Sequence, residues 1–107
     1  MFQALELSLD AIRSLRLPLE TLRSRDPDLY RQIRAAASSV ALNLAEGAER
    51  CGKDRVHHYR IASGSAKEVR AALRVAEAWG DVQAPAIAPA LQLLDRLGGM
   101  LWSLGHR

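Results

Sequence analysis

Ser39, Asn43, Glu46 and Arg50 recur at three- and four-residue intervals within QIRAAASSVALNLAEGAER, residues 32–50. With about 100° between successive helical residues, they share one face with Ala36 and Gly47. A hydroxyl, an amide, a carboxylate and a guanidinium together could activate a nucleophile or hold an oxyanion. No base, metal shell or phosphate cradle completes that set. The small residues let another backbone come close, and Glu46 and Arg50 can pair. The face therefore reads as a close-packing and hydrogen-bonding surface that fixes how helices or subunits meet.

Other chemical signatures are incomplete. Asp54 and His57 form a D-x-x-H step, and Glu46 with Glu49 an E-x-x-E step. Di-iron bundles need carboxylates on all four helices and Glu-x-x-His on two of them, whereas the last helix offers only Asp95. His57 and His58 read as a surface residue and a helix-end residue. Ser63 and Ser65 flank Gly64 without the strand–turn–helix context of a nucleophile elbow. Cys51 has no partnered base. The expectation is a non-enzymatic protein with no catalytic residue, no metal and no cofactor.

Charge is better organised. The net charge is +3, but Arg50, Lys53, Arg55, Arg60, Lys67, Arg70 and Arg74 face only Asp54 and Glu68 in their stretch, leaving the remainder acidic. Lys53, Arg60, Lys67 and Arg74 recur every seven residues, with Arg70 close by. They form a helical ridge roughly 30 Å long. Such a ridge could follow a phosphate backbone, while its bland alternative is a solvated face. No aromatic residue interleaves with the cations, so the ridge by itself offers no base stacking.

At 107 residues, with 49% apolar and 25% charged, the chain fits a single domain spanning residues 1–107. Alanine and leucine dominate and aromatics are 5%, which favours helix over sheet. The single cysteine, an acidic start and the lack of a long apolar run lead us to expect a cytoplasmic protein with no membrane role.

The elements follow from periodicity and punctuation. Helix one begins near Phe2, with Leu5, Leu9, Ile12 and Leu15 or Arg16 as its apolar stripe. Pro18 either kinks it or ends it. Asp26 as cap and Pro27 at the first position open helix two, which runs to about Cys51, with Gly52 as its C-terminal cap. Helix three spans about Asp54 to Trp79 and is stopped by Gly80. Its core stripe is Tyr59, Ala62, Ala66, Val69, Leu73 and Ala76. Helix four starts near Pro85, tolerates Pro89 in its first turn and buries Ile87, Leu91, Leu94, Leu97 or Leu101, and Leu104. Gly98 and Gly99 weaken it by about 1 kcal/mol each relative to alanine, for which close helix contact or fraying would account. Short connections between long helices give an all-α, up-down-up-down antiparallel four-helix bundle.

Ser65 and Glu68 lie off the core stripe of helix three, beside Ile61, Ala72, Val75 and Trp79. If this flank meets the polar face of helix two, Asn43, Glu46, Ser65 and Glu68 can form a network with Arg50. If it does not, the flank is an interface between copies.

These residues resemble a bacterial family, the four-helix-bundle proteins of the 23S ribosomal RNA intervening sequence. Gln32, Ile33, Arg34, Ala36, Ser39, Asn43, Ala45, Glu46 and Gly47 match the first part of its pattern. Tyr59, Ile61, Ala62, Gly64, Ser65, Glu68 and Gly80 match the second, and Phe2, Leu5 and Glu6 fit its opening. Ser8 stands where the family often has tryptophan, and Leu19–Leu29 is longer and more charged than usual. The resemblance implies a bundle that assembles as a ring, a homopentamer. It also implies similarity to the accessory variability protein of diversity-generating retroelements, which binds reverse transcriptase and nucleic acid. No enzymatic activity comes with it. The combined expectation is a homo-oligomer that binds structured RNA or DNA through Lys53, Arg60, Lys67, Arg70 and Arg74. Ser39, Asn43, Glu46, Gly47, Arg50, Gly64, Ser65 and Glu68 serve packing or the interface. The alternative is an oligomeric adaptor for a protein partner.

Overall fold

The computed structural model describes residues 2–106, which form four α-helices and, among the described residues, no strand. They are α1 (Gln3–Arg25), α2 (Pro27–Ala48), α3 (Gly52–Ala78) and α4 (Ala84–Gly105). Each helix packs on its neighbours in sequence, and α1 closes the bundle against α4. The result is the expected up-down-up-down arrangement, 43 × 22 × 20 Å in extent.

Local chemistry sets the corners. Asp26 Oδ1 accepts a 3.0 Å hydrogen bond from the Leu29 amide, and Pro27 opens α2, as the cap reading requires. At the far end of α3, the Gly80 amide donates to Glu77 O at 2.9 Å and the Asp81 amide to Ala76 O at 3.0 Å. This is the Schellman pair, and it needs the left-handed conformation that Gly80 supplies at φ 80°. Gly52 is left-handed too, at φ 61°, but it opens α3 instead of capping α2. The last turn of α2 tightens through Glu49 N to Glu46 O and Arg50 N to Gly47 O, so the helix ends at Ala48, short of Cys51.

Proline behaves differently in the two outer helices. α1 runs unbroken through Pro18, whose ring is buried, so the helix neither stops nor splits there. Pro89 is the sixth residue of α4, in its second turn and not its first.

All six stripe residues predicted for α3 are buried, as are Ile33, Ala37, Val40 and Leu44 of α2. In α1 the buried stripe is Ala4, Leu7, Ser8, Ala11, Leu15, Leu19 and Leu22. Leu5 and Ile12 pack against its margin and Leu9 is half-buried. The core face is thus rotated from the predicted Leu5–Leu9–Ile12 stripe to one that combines Leu7, Leu15, Leu19 and Leu22 with the small residues Ala4, Ser8 and Ala11. In α4, Ile87, Ala90, Leu94, Leu97 and Leu101 are buried, with Leu91 and Leu104 at the margin. Ser8 is 2% exposed and donates to Leu5 O at 2.6 Å.

Candidate functional site

The two flanks of α3 have separate tasks. Toward α2, the Ser65 hydroxyl lies 2.9 Å from that of Ser39. Asn43 Nδ2 donates to Ser39 O at 2.9 Å and to its hydroxyl at 3.1 Å. Asn43 Oδ1 is 3.0 Å from His58 Nδ1, which requires that nitrogen to carry the proton. Further along, Arg50 donates to Glu46 at 2.6 Å and to Asp54 at 3.2 Å. Hydrogen bonding to Glu46 and then the charges of Glu46 and Asp54 hold the Arg50 guanidinium above its usual pKa. Asp54 reaches back to within 3.9 Å of His58 Nε2. Two polar clusters therefore line the α2–α3 seam, Ser65–Ser39–Asn43–His58 and Glu46–Arg50–Asp54, with Asp54 and His58 3.9 Å apart between them.

The predicted network is met in part. Ser39, Asn43, Ser65, Glu46 and Arg50 belong to it, so the flanks meet within one bundle. Glu68 does not: it is exposed and makes no side-chain hydrogen bond among the described residues. It follows Ser65 by three residues, which turns it about 60° further from the core. The sequence reading makes His58 a helix-end residue, whereas the structure sets it against Asn43 in the seam. The spacing carries the signal, since His58 precedes Ser65 by seven residues and so shares its face.

Gly47 closes the same seam. A Cβ added there would lie 2.7 Å from Tyr59 Cε1 and 3.1 Å from His58 Cβ. Gly64 has no such neighbour: a Cβ there meets nothing within 4 Å.

The opposite flank of α3 carries the ridge. Lys53, Arg60, Lys67, Arg70 and Arg74 are all exposed. Arg70 bridges to Asp95 of α4 at 2.8 Å, and Arg60 Nε donates to Gly105 O at 3.3 Å, satisfying a carbonyl at the end of α4. Lys53, Lys67 and Arg74 form no ion pair among the described residues. The ridge overlies the α3–α4 seam, where Lys67, Arg70, Asp95, Gly98, Gly99 and Trp102 line a cleft of about 300 Å³. An exposed aromatic residue therefore stands beside the cations after all, contributed by α4 and not by α3. Close helix contact does not explain Gly98 and Gly99, since a Cβ at either meets nothing within 4 Å. Fraying does not explain them, since α4 continues to Gly105.

Among the described residues no group of three His, Cys, Asp or Glu side chains is placed to hold a metal ion, and no described helix is long and apolar enough to cross a membrane. Fold and surface together define a helical bundle with one internally satisfied polar seam and one cationic seam. The chain belongs to the 23S rRNA-intervening sequence protein family, whose pattern matches residues 3–103. It is similar in fold to the crystal structure of a protein of unknown function from the S23 ribosomal protein family of Bacteroides thetaiotaomicron. The TM-score is 0.85 at 18% identity, covering 97% of this chain and 99% of that one. No curated protein matches the sequence.

Proposed function

We propose that the protein is a non-enzymatic bacterial homo-oligomer, a cytoplasmic ring of five copies that binds structured RNA or DNA through the basic ridge of α3. The carrying observation is that Lys53, Lys67 and Arg74 are exposed on one side of α3 without an ion pair among the described residues. Unpaired cations at that spacing release counterions when they meet phosphates. Five copies would pool about 25 ridge cations, turning weak contacts into avidity.

The oligomer reading is supported by the apolar side chains left uncovered on one chain. Trp79 is 75% exposed and Val75 45%, on the flank of α3 beyond the polar seam. The same exposure favours a second reading, an adaptor that docks a protein partner there.

Electrophoretic mobility shifts at two salt concentrations test the first reading. A shift at low salt that is lost on Lys53→Glu, Lys67→Glu and Arg74→Glu together is expected. No shift at low salt, or one indifferent to these changes, overturns it. Protein freed of nucleic acid by nuclease that still carries one stoichiometric protein partner would establish the adaptor instead.

A further inference from the structure

Trp102 is 63% exposed, an unusual position for the largest apolar side chain in a bundle with room in its core for leucine. It is nevertheless braced. The His106 ring stacks on the indole with centroids 4.4 Å apart and planes 15° from parallel. His106 Nδ1 donates to the Trp102 carbonyl at 2.7 Å, which fixes the imidazole in place. One indole face is thus covered from within, and the ring stands at the edge of the α3–α4 cleft.

Gly98 and Gly99 precede Trp102 by one helical turn, the positions whose side chains would otherwise stand beside it. Both are open, as a Cβ at either meets nothing within 4 Å. The glycines cost helix stability without serving a close contact. What they provide is clear space next to a braced aromatic ring. Across that space stand Lys67, exposed and unpaired among the described residues, and Arg70, held in position by Asp95 at 2.8 Å. The cleft, at about 300 Å³, matches the lower end of ligand-binding pockets.

We propose that this cleft is a stacking subsite for an unpaired nucleobase, with Trp102 as the platform and Lys67 and Arg70 meeting the flanking phosphates. It rests on the nucleic-acid reading above and sharpens it. Phosphate contacts along the ridge treat duplex and single strand alike, whereas a platform on one indole face accepts only a base whose own face is free. The subsite therefore directs the protein to loops, bulges and ends of structured RNA or DNA. Recognition there tolerates any base, because every base presents a π-face.

The test uses the full chain carrying Trp79→Phe, which leaves Trp102 as the sole tryptophan of the two. The probes are an unstructured pyrimidine-rich RNA of about 12 nucleotides, within the range of single-strand site sizes, and a duplex of equal length. Single strand should quench the Trp102 fluorescence and duplex should not. Trp102→Ala should weaken single-strand binding by about 5–150-fold, leave duplex binding unchanged and leave the salt slope unchanged. Trp102→Phe should restore part of the loss. Gly98→Leu, which suits a helix better than glycine, should fill the cleft and act as Trp102→Ala does. Binding of both probes with no quench, or equal losses on both, overturns the subsite and leaves the ridge standing. Binding of neither probe at low salt overturns the ridge and the subsite with it.

Discussion

Gly47 of α2 and Tyr59 of α3 are in contact so close that a single methyl group would not fit: a Cβ on Gly47 would sit 2.7 Å from Tyr59 Cε1. The tyrosine ring is 5% exposed and belongs to the core, so it has little freedom to retreat. Gly47→Ala should destabilise the fold by about 1–3 kcal/mol through overpacking, lowering Tm by roughly 4–8 °C per kcal/mol in a domain of this size. Gly64→Ala should do the opposite. Its Cβ meets open space, and alanine gains about 0.5–1 kcal/mol over glycine inside a helix. Thermal melts of the two variants should shift in opposite directions.

That contrast shows how far the sequence could be read. Both glycines are among the residues that carry the family resemblance, and composition alone treats them alike. Only the antiparallel register of α2 on α3 separates them, by setting Gly47 against Tyr59 and leaving Gly64 outward. The stripe of α3, the Asp26 cap and the Gly80 stop were legible because each rests on interactions within a few residues. Three features were not. The buried face of α1 includes Ala4, Ser8 and Ala11 beside its leucines, and leucines lie on both sides of this helix, so their spacing alone does not choose the core face. His58 enters the polar seam because α3 runs back alongside α2. Trp102 stands beside the ridge because α4 packs against α3, a relationship that no spacing within α3 encodes.

The polar seam should behave as a coupled unit. Ser39→Ala and Ser65→Ala each remove one end of the 2.9 Å hydrogen bond and should cost about 0.5–1.5 kcal/mol. The double variant should cost less than their sum, since the first change already breaks the bond. Asn43→Leu should cost more, about 1–3 kcal/mol, because His58 Nδ1 and the Ser39 groups lose their partner together. Glu68→Ala should stay within about 0.5 kcal/mol of the wild type, as an exposed residue outside the network. Urea denaturation measures all five variants.

Asp95 pairs with Arg70, one of the cations that the proposed interface assigns to phosphate. The pair is 2.8 Å apart and about half exposed, 51% and 52% for the two side chains, so its contribution to stability should be below about 1 kcal/mol. Asp95→Asn should therefore leave the melt almost unchanged. It should strengthen nucleic-acid binding at low salt and steepen the salt dependence, because Arg70 then gives a phosphate the charge it shares with Asp95; the gain is at most about 0.9 in log–log slope, the value of one fully neutralised phosphate on duplex DNA. Fluorescence anisotropy across a salt series measures that slope. An unchanged slope would place Arg70 outside the contacted surface.

The exposed flank of α3 makes assembly testable without disturbing the core. Trp79 and Val75 are 75% and 45% exposed, and neither takes part in the hydrogen bonds of the polar seam. Replacing both with aspartate should keep the folded monomer within about 0.5 kcal/mol for each change, as expected for surface positions. If these side chains are buried between copies, each aspartate brings a charge into an apolar contact without a partner, which costs far more than that. Light scattering should then fall from the mass of a ring to that of one chain, 11.8 kDa. Nucleic-acid binding should weaken in the same variant although every ridge cation remains, because pooled weak contacts are lost when the copies separate. Loss of binding with the assembly intact would instead make the flank a direct contact surface.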